Sequence, residues 1–498
     1  MSAWVENQKN NRVDWLIAFL LFLFLSSVYY ATVSGITSSN DGSHYALVRT
    51  MVENHSFALK QFDDYAEGND IAITEDGRLF SDRPPGTALA GTLFYLVGGV
   101  FPKPLEELPS RHDAQNPRLA YVLMLPVFAG AGTAVVLYAL MRLLEIGRLA
   151  AVLAVLMFSL GTAHWKYSSV LFSHALSSFL VVLAVYLAMR FVRLDEGRVV
   201  IFCLLGFLLG FSVLTEYSNG LLVIILLGYL VLSRRQKGWR KIAGSLAYLV
   251  AGGFISALFL VIYNNVNFGS PLKLSYSYAI NYPWASSFVT TFNYPLGAGL
   301  KGLLIGGTAD GWCGGPPCSN QGLFYLSPIL LLAIPGWIGF YRMARRECLL
   351  TAVLFFAYLF LFARHRTYHG FTADGRYLTP FLGLLAIPLA YTLQWITTMD
   401  SRPLLRVLLL AAAFILFVLS MSNMFLHIGS SYNYSLDPGL VNGLFSTPGN
   451  IFLLLRQVFL NAANLPLLWI VEIVVIFLII GAVVILHNVI KEPLEEPG

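Results

Sequence analysis

Charge is scarce in this 498-residue chain: Asp, Glu, Lys and Arg make up 12% of it, against roughly a quarter in an average soluble domain. That deficit excludes a large soluble domain. With 57% hydrophobic residues and a mean hydropathy of +0.68, the chain belongs in a bilayer. Also missing are a glycine-rich nucleotide cradle, a zinc signature and a Gly-x-Ser-x-Gly elbow, which disfavours an enzyme that consumes a nucleotide sugar or ATP. No solenoid repeat, low-complexity tract or heptad pattern divides the chain, so one membrane domain over residues 1–498 is the simplest count. The net charge of +5 matters less than where the basic residues fall, and it implies no nucleic-acid partner.

What is present is a succession of apolar runs, each near the length of about 20 residues that a helix needs to cross the hydrocarbon core. Twelve crossings are expected, beginning near Trp15, Arg118, Leu149, Leu171, Val199, Tyr217, Ile242, Leu323, Leu349, Tyr377, Pro403 and Leu465. The first run, Trp15 to Val33, is too long for a signal peptide and lacks a small-residue cleavage site, so it reads as a retained anchor. With both termini in the cytoplasm, the basic clusters at Arg142 and Arg148, Arg190 to Arg198, Arg234 to Lys241, Arg342 to Arg346, and Arg402 and Arg406 all fall inside, which satisfies the positive-inside bias. The 16-residue run from Gly86 to Phe101 then has to lie along the outer interface, because a full crossing there would reverse every later turn.

Three segments remain outside: residues 35–117, 264–322 and 426–464. Cys203 lies in an apolar span and Cys348 beside a cytoplasmic turn, and neither carries a signal. Cys313 and Cys318, in Cys-Gly-Gly-Pro-Pro-Cys, favour a disulfide-closed turn in an oxidising compartment over two free thiols, with a metal site last because no His lies in the stretch.

Chemistry-bearing residues concentrate in the first outer segment. Asn40-Asp41-Gly42-Ser43-His44-Tyr45, followed by Arg49, places a carboxylate where a general base could take a proton from an acceptor hydroxyl; the same residues also suit a helix N-cap. Phe80-Ser81-Asp82-Arg83-Pro84-Pro85-Gly86 sets an acid and a base beside a rigid diproline. There Arg83 could clamp a phosphate or simply snorkel to the interface. Further candidates are His164, Lys166, Tyr167 and His174, and Glu216, whose carboxylate should face an aqueous cavity or a cation rather than lipid. Asn267 to Pro271, Lys273, Tyr276, Tyr278 and Lys301 follow, and then Arg364, His365, Arg366, His369, Asp374 and Arg376. Basic groups outside run against the bias, and together they could receive an anionic headgroup.

These stretches, in this order and on this span layout, resemble the GT-C superfamily of membrane glycosyltransferases, particularly its protein O-mannosyltransferase and aminoarabinose transferase branch. The family's first outer loop opens with Asp-Glu-x-His/Arg-aromatic, matched by Asp41, His44 and Tyr45, and later reads Lys-Pro-Pro, matched by Arg83, Pro84 and Pro85. Gly42 stands where the family has Glu, and Arg83 where it has Lys. The resemblance implies an all-α GT-C fold of about twelve transmembrane helices, with interfacial helices in the first outer loop. It assigns Asp41 as the base or acceptor-binding group and Arg83 to the donor phosphate. The implied activity is that of an inverting glycosyltransferase, which moves a sugar from a polyprenyl-phosphate carrier to a hydroxyl of a lipid, glycan or protein. It would act on the extracytoplasmic face of the cell (inner) membrane. His44, Tyr45, Arg49, Asp82, Glu216, Lys301 and Arg376 complete the expected binding set. No cofactor is read from the sequence, and a divalent cation is left open. The alternative is a transporter or flippase of lipid-linked sugars, which should show two-fold pseudo-repeats; none is evident.

Overall fold

The computed structural model describes residues 2–101, 108, 110–195, 199–308, 319–370, 372, 374–431, 477–478 and 480–481. α1 (Ser2–Ala31) leads into a segment that folds as α2 (Ser39–Glu53), an antiparallel ribbon of β1 (Ile71–Ile73) and β2 (Leu79–Ser81), and α3 (Gly86–Val97). The ribbon pairs Ile71 with Ser81. The chain continues through α4 (Pro117–Val122), α5 (Met124–Leu143), α6 (Arg148–Gly161), the single turn α7 (His164–Tyr167), α8 (Ser173–Leu194), α9 (Val199–Thr215), α10 (Gly220–Arg234) and α11 (Trp239–Phe268). A second irregular segment carries α12 (Phe288–Thr291), α13 (Leu296–Leu304), the ribbon β3 (Gly306–Thr308) with β4 (Ser319–Gln321), and α14 (Leu323–Leu326). α15 (Ala333–Met343), α16 (Arg345–Ala363), α17 (Thr379–Thr397) and α18 (Pro403–Ser431) follow.

Among the described residues, eight helices are long and apolar enough to cross a membrane, and α6, α9 and the stretch Pro328–Met343 are shorter apolar helices. They account for the first eleven expected crossings; the one expected from Leu465 lies outside the described residues, as do Cys313 and Cys318. The apolar stretches of α5, α8 and α17 are 78%, 72% and 89% buried, whereas those of α11 and α18 are 11% buried. The first three therefore form the protein core, and the last two turn most of their apolar surface outward, as lipid-facing helices do.

Two boundaries differ from expectation. α11 runs through Asn264 to Phe268 and stops at Gly269, whose φ of +70° supplies the left-handed cap that ends a helix without steric cost. α18 likewise continues past Leu426 to Ser431. α3, at 12 residues, is about 18 Å long and cannot cross a core of about 30 Å. It buries Thr87, Ala88, Gly91 and Tyr95 against the protein, while Leu93, Leu96 and Val97 are exposed, the two-faced pattern of an interfacial helix.

One face of the bundle is tied by charge. Asp14 of α1 sits 2.8 Å from Arg148 at the start of α6 and 3.4 Å from Arg142 at the end of α5, and Arg193 near the end of α8 reaches Glu347 at the start of α16. The opposite ends of α8 and α16 meet the two irregular segments around a cavity.

Candidate active site

The first outer segment begins with a helix cap. Asp41, in the first turn of α2, accepts from Thr37 N (2.8 Å), Thr37 Oγ1 (3.1 Å), Ser38 N (2.8 Å), Ser38 Oγ (2.8 Å) and Gly42 N (3.1 Å). These satisfy amides that a helix start leaves without intrahelical partners. The side chain is fully buried; burial raises its pKa, opposed by the bonds from Thr37 and Ser38. Gly42 has a steric reason: a Cβ there would come within 1.8 Å of the Tyr65 carbonyl oxygen. No side chain fits beside Asp41, and no paired acid can form at that position.

The neighbouring residue, Asn40, reaches a cavity of about 610 Å³. The diproline stretch supplies its floor. Gly86 lets α3 start against the backbone of Leu214 and Thr215 at the end of α9, where a Cβ would lie 2.6 Å from main-chain atoms. That contact sets Asp82, Arg83 and Pro84 on the cavity wall. Arg83 is oriented by carboxylates on two sides: it pairs with Asp70, and its Nε lies 3.0 Å from Asp82 Oδ1. Asp70 in turn accepts from Ser39 Oγ. Asp82 is 1% exposed and neither carboxylate oxygen has a hydrogen bond within the protein. Burial, countered by the charge of Arg376, pushes its pKa up to about 8.

Opposite Asp82, Glu216 stands in the turn between α9 and α10, where it accepts from Ser173 Oγ and lies 3.7 Å from His174 Nδ1. Burial raises its pKa, opposed by the Ser173 bond and by the charges of Arg83 and Arg376. Arg376, buried at the start of α17, adds a second guanidinium, set over the rings of Phe172 (5.3 Å) and Tyr377 (5.6 Å). The second irregular segment closes one side: Ser275 Oγ donates to the Asp82 carbonyl (2.7 Å), and Tyr276, Tyr282 and Trp284 line the space. Leu221, Leu361, Phe362 and Phe381 from membrane helices form an apolar wall. Among the described residues no three His, Cys, Asp or Glu side chains converge as ligands for a metal ion.

Of the residues expected from sequence, Asp82, Arg83, Glu216 and Arg376 meet at this cavity. His44 is fully buried with neither ring nitrogen hydrogen-bonded, and it feels the charges of Arg83 and Arg376, which with burial lower its pKa to about 3. Three of the expected residues lie elsewhere. Tyr45 donates to Asp113 (3.1 Å), and Arg49 pairs with Asp113 and Glu53 (both 2.9 Å) and stacks on Phe62. Both therefore brace α2 against the following segment rather than the cavity. Lys301 is exposed on α13 and is not part of the wall. Asp41 stays in its cap, one residue from the wall. Sequence reasoning missed Asp70, which sits in an aperiodic polar stretch, and did not single out Tyr282 or Trp284.

No protein-family model and no curated protein sequence matches this chain. Among solved structures, ArnT from Cupriavidus metallidurans bound to undecaprenyl phosphate is similar, with a TM-score of 0.51 at 12% identity over 95% of this chain and 76% of that one. The archaeal oligosaccharyltransferase AglB from Archaeoglobus fulgidus, in complex with an inhibitory peptide and a dolichol-phosphate, aligns with a TM-score of 0.48 at 14% identity over 88% of this chain and 59% of that one. The apolar helices, the interfacial helix after the diproline and the likeness to ArnT identify the chain as a multi-pass membrane protein with the GT-C fold.

Proposed function

We propose that the chain is an inverting glycosyltransferase that moves a sugar from a polyprenyl monophosphate to a hydroxyl-bearing acceptor. The supporting observation is the make-up of one cavity, in which Arg83, Arg376, Asp82 and Glu216 face a wall of Leu221, Leu361, Phe362 and Phe381. A lipid phosphate needs both halves: guanidinium groups for its charge-assisted hydrogen bonds and an apolar groove for its isoprenoid. In the reaction, the acceptor oxygen attacks the anomeric carbon as the bond to the phosphate oxygen breaks, and Asp82 takes the hydroxyl proton. The polyprenyl phosphate leaves as an anion between Arg83 and Arg376. A single displacement inverts the anomeric centre. Glu216 orients hydroxyl groups of the sugar or the acceptor. Asp41 contributes indirectly, by fixing the turn that presents Asn40.

The cavity lies at the end of α8 opposite Arg193, and the positive-inside bias supports the extracytoplasmic face for it. Reporters fused after Arg148, Arg240, Arg346 and Arg406 should all read as cytoplasmic, and a periplasm-type signal at Arg148 would overturn this orientation. Activity is tested by incubating the purified chain with a panel of undecaprenyl-phosphate sugars and measuring release of undecaprenyl phosphate. Release that requires Arg83 supports the reading. Transbilayer movement of an intact lipid-linked sugar in vesicles, with no release from any donor, would replace it with a flippase.

A further inference from the structure

Away from the cavity wall, the protein buries a charged cluster that the proposed reaction does not use. Lys166 Nζ lies 2.7 Å from Asp374 Oδ2, with side-chain exposures of 1% and 0%. Tyr167 OH donates to the same carboxylate (3.0 Å), His427 Nε2 lies 3.2 Å from it, and Thr372 Oγ1 donates to its other oxygen (2.5 Å). The partners come from α7, the segment between α16 and α17, and α18, so three distant parts of the chain meet on one carboxylate. Ionic groups buried this deeply in a membrane protein are costly and need a reason beyond packing.

The reason lies two residues along the chain. Asp374 is followed by Gly375, in a left-handed conformation at φ +56°, and then by Arg376. The side chain of Arg376 lies across Gly370, itself at φ +62°, where a Cβ would come within 2.8 Å of Arg376 Cγ and Nε. The segment is thus pinned at Asp374, reversed at Gly375, and cleared at Gly370 for the side chain of Arg376, which continues to the cavity wall. We propose that Lys166, Tyr167 and His427 are positioning residues for Arg376: by fixing Asp374 they aim its guanidinium at the anionic headgroup. This rests on the proposed function for the identity of that headgroup but not for the pinning itself.

The test uses the full chain in detergent, with undecaprenyl phosphate and undecaprenol as probes. A single substitution would strand a buried charge and could prevent folding, so Lys166→Met is combined with Asp374→Leu, which removes both charges at once. His427→Phe is a milder second variant that leaves the Lys166–Asp374 pair in place. Both should bind undecaprenyl phosphate more weakly, the paired variant by tenfold or more, with undecaprenol binding unchanged. Added to Arg376→Gln, the paired variant should cause no further loss, because the network acts through Arg376. Amide exchange across residues 370–378 should also rise, while the middle of α17 stays protected. Additive losses, or unchanged exchange over 370–378, would overturn the proposal. If wild-type protein does not prefer undecaprenyl phosphate to undecaprenol, the proposed donor falls, and the exchange measurement still decides whether the cluster pins the Arg376 segment.

Discussion

Asp41 and Asp82 lie 41 positions apart in the same segment, and both are withdrawn from water. Asp41 accepts bonds from Thr37, Ser38 and Gly42, all within four residues of it, whereas neither oxygen of Asp82 accepts a hydrogen bond within the protein. The difference is one of backbone surroundings. A helix start offers a cluster of unpaired amides that a carboxylate three residues on can satisfy, while the fixed backbone before a diproline offers Asp82 no such donors and leaves it facing the cavity. Burial raises the pKa of both carboxylates; the bonds from Thr37 and Ser38 oppose the rise at Asp41 and hold it in place, whereas Asp82 is pushed up to about 8. A carboxylate in the second condition is suited to accept a proton near neutral pH.

The largest expected effect is on Asp82. Asp82→Asn removes the proton acceptor but keeps the side-chain shape, and turnover should fall about a hundredfold or more. Affinity for undecaprenyl phosphate should hold, because Arg83 and Arg376 stay on the cavity wall. Near wild-type turnover would end the assignment.

Two arginines of the segment, Arg83 and Arg49, should part next. Arg83→Ala removes a guanidinium from the cavity wall and should weaken undecaprenyl phosphate binding about tenfold or more. Arg49→Ala removes the partner of Glu53 and Asp113 and should lower thermal stability while leaving that affinity within about threefold. Equal losses of affinity would show that Arg49 also serves the site.

A smaller effect separates the carboxylates by pH. A base works only when ionised, and with a pKa of about 8 Asp82 is ionised in about a tenth of the molecules at pH 7 and about half at pH 8. Turnover should therefore rise between about pH 6 and pH 9 and then level off, and the residual rate of Asp82→Asn should lack this rise. A flat wild-type profile would point to a base other than Asp82.

Much of this fold could be read from hydropathy and basic residues alone. Eleven expected crossings coincide with helices, because a bilayer demands long apolar runs and internally satisfied backbone. The interfacial placement of α3 followed from its length and its prolines. The site was legible only in part. Asp82, Arg83, Glu216 and Arg376 stood out as charges in an apolar context, and they do meet. For Asp41 the sequence left base and helix cap both open, because whether a carboxylate caps a helix or faces a cavity depends on the path of the backbone around it. Likewise, no local pattern announces that Tyr65 closes over Gly42, or that Asp70 folds back onto Arg83 from 13 residues away. The Lys166–Asp374 pair joins residues 208 apart, beyond the reach of any sequence window.

The smallest effect on rate is expected at Asp41, and it tests the comparison most directly. In Asp41→Asn one carboxylate oxygen becomes an NH2 group. The remaining oxygen can still accept from Ser38 and Gly42, so that side of the cap survives. The new amide faces Thr37 N, which is also a donor, and the 2.8 Å bond there is lost; the Thr37 hydroxyl can turn to accept instead. Losing that buried bond costs about 1–3 kcal/mol. Thermal unfolding should register that loss, whereas turnover, measured on the folded fraction with a saturating donor, should stay within about threefold of wild type. Asn40 remains at the wall as long as the turn keeps its shape. If Asp41→Asn instead loses a hundredfold in turnover with its melting temperature unchanged, the proton acceptor is Asp41. The segment must then open its cap during the reaction, and the unbonded state of Asp82 would need another explanation.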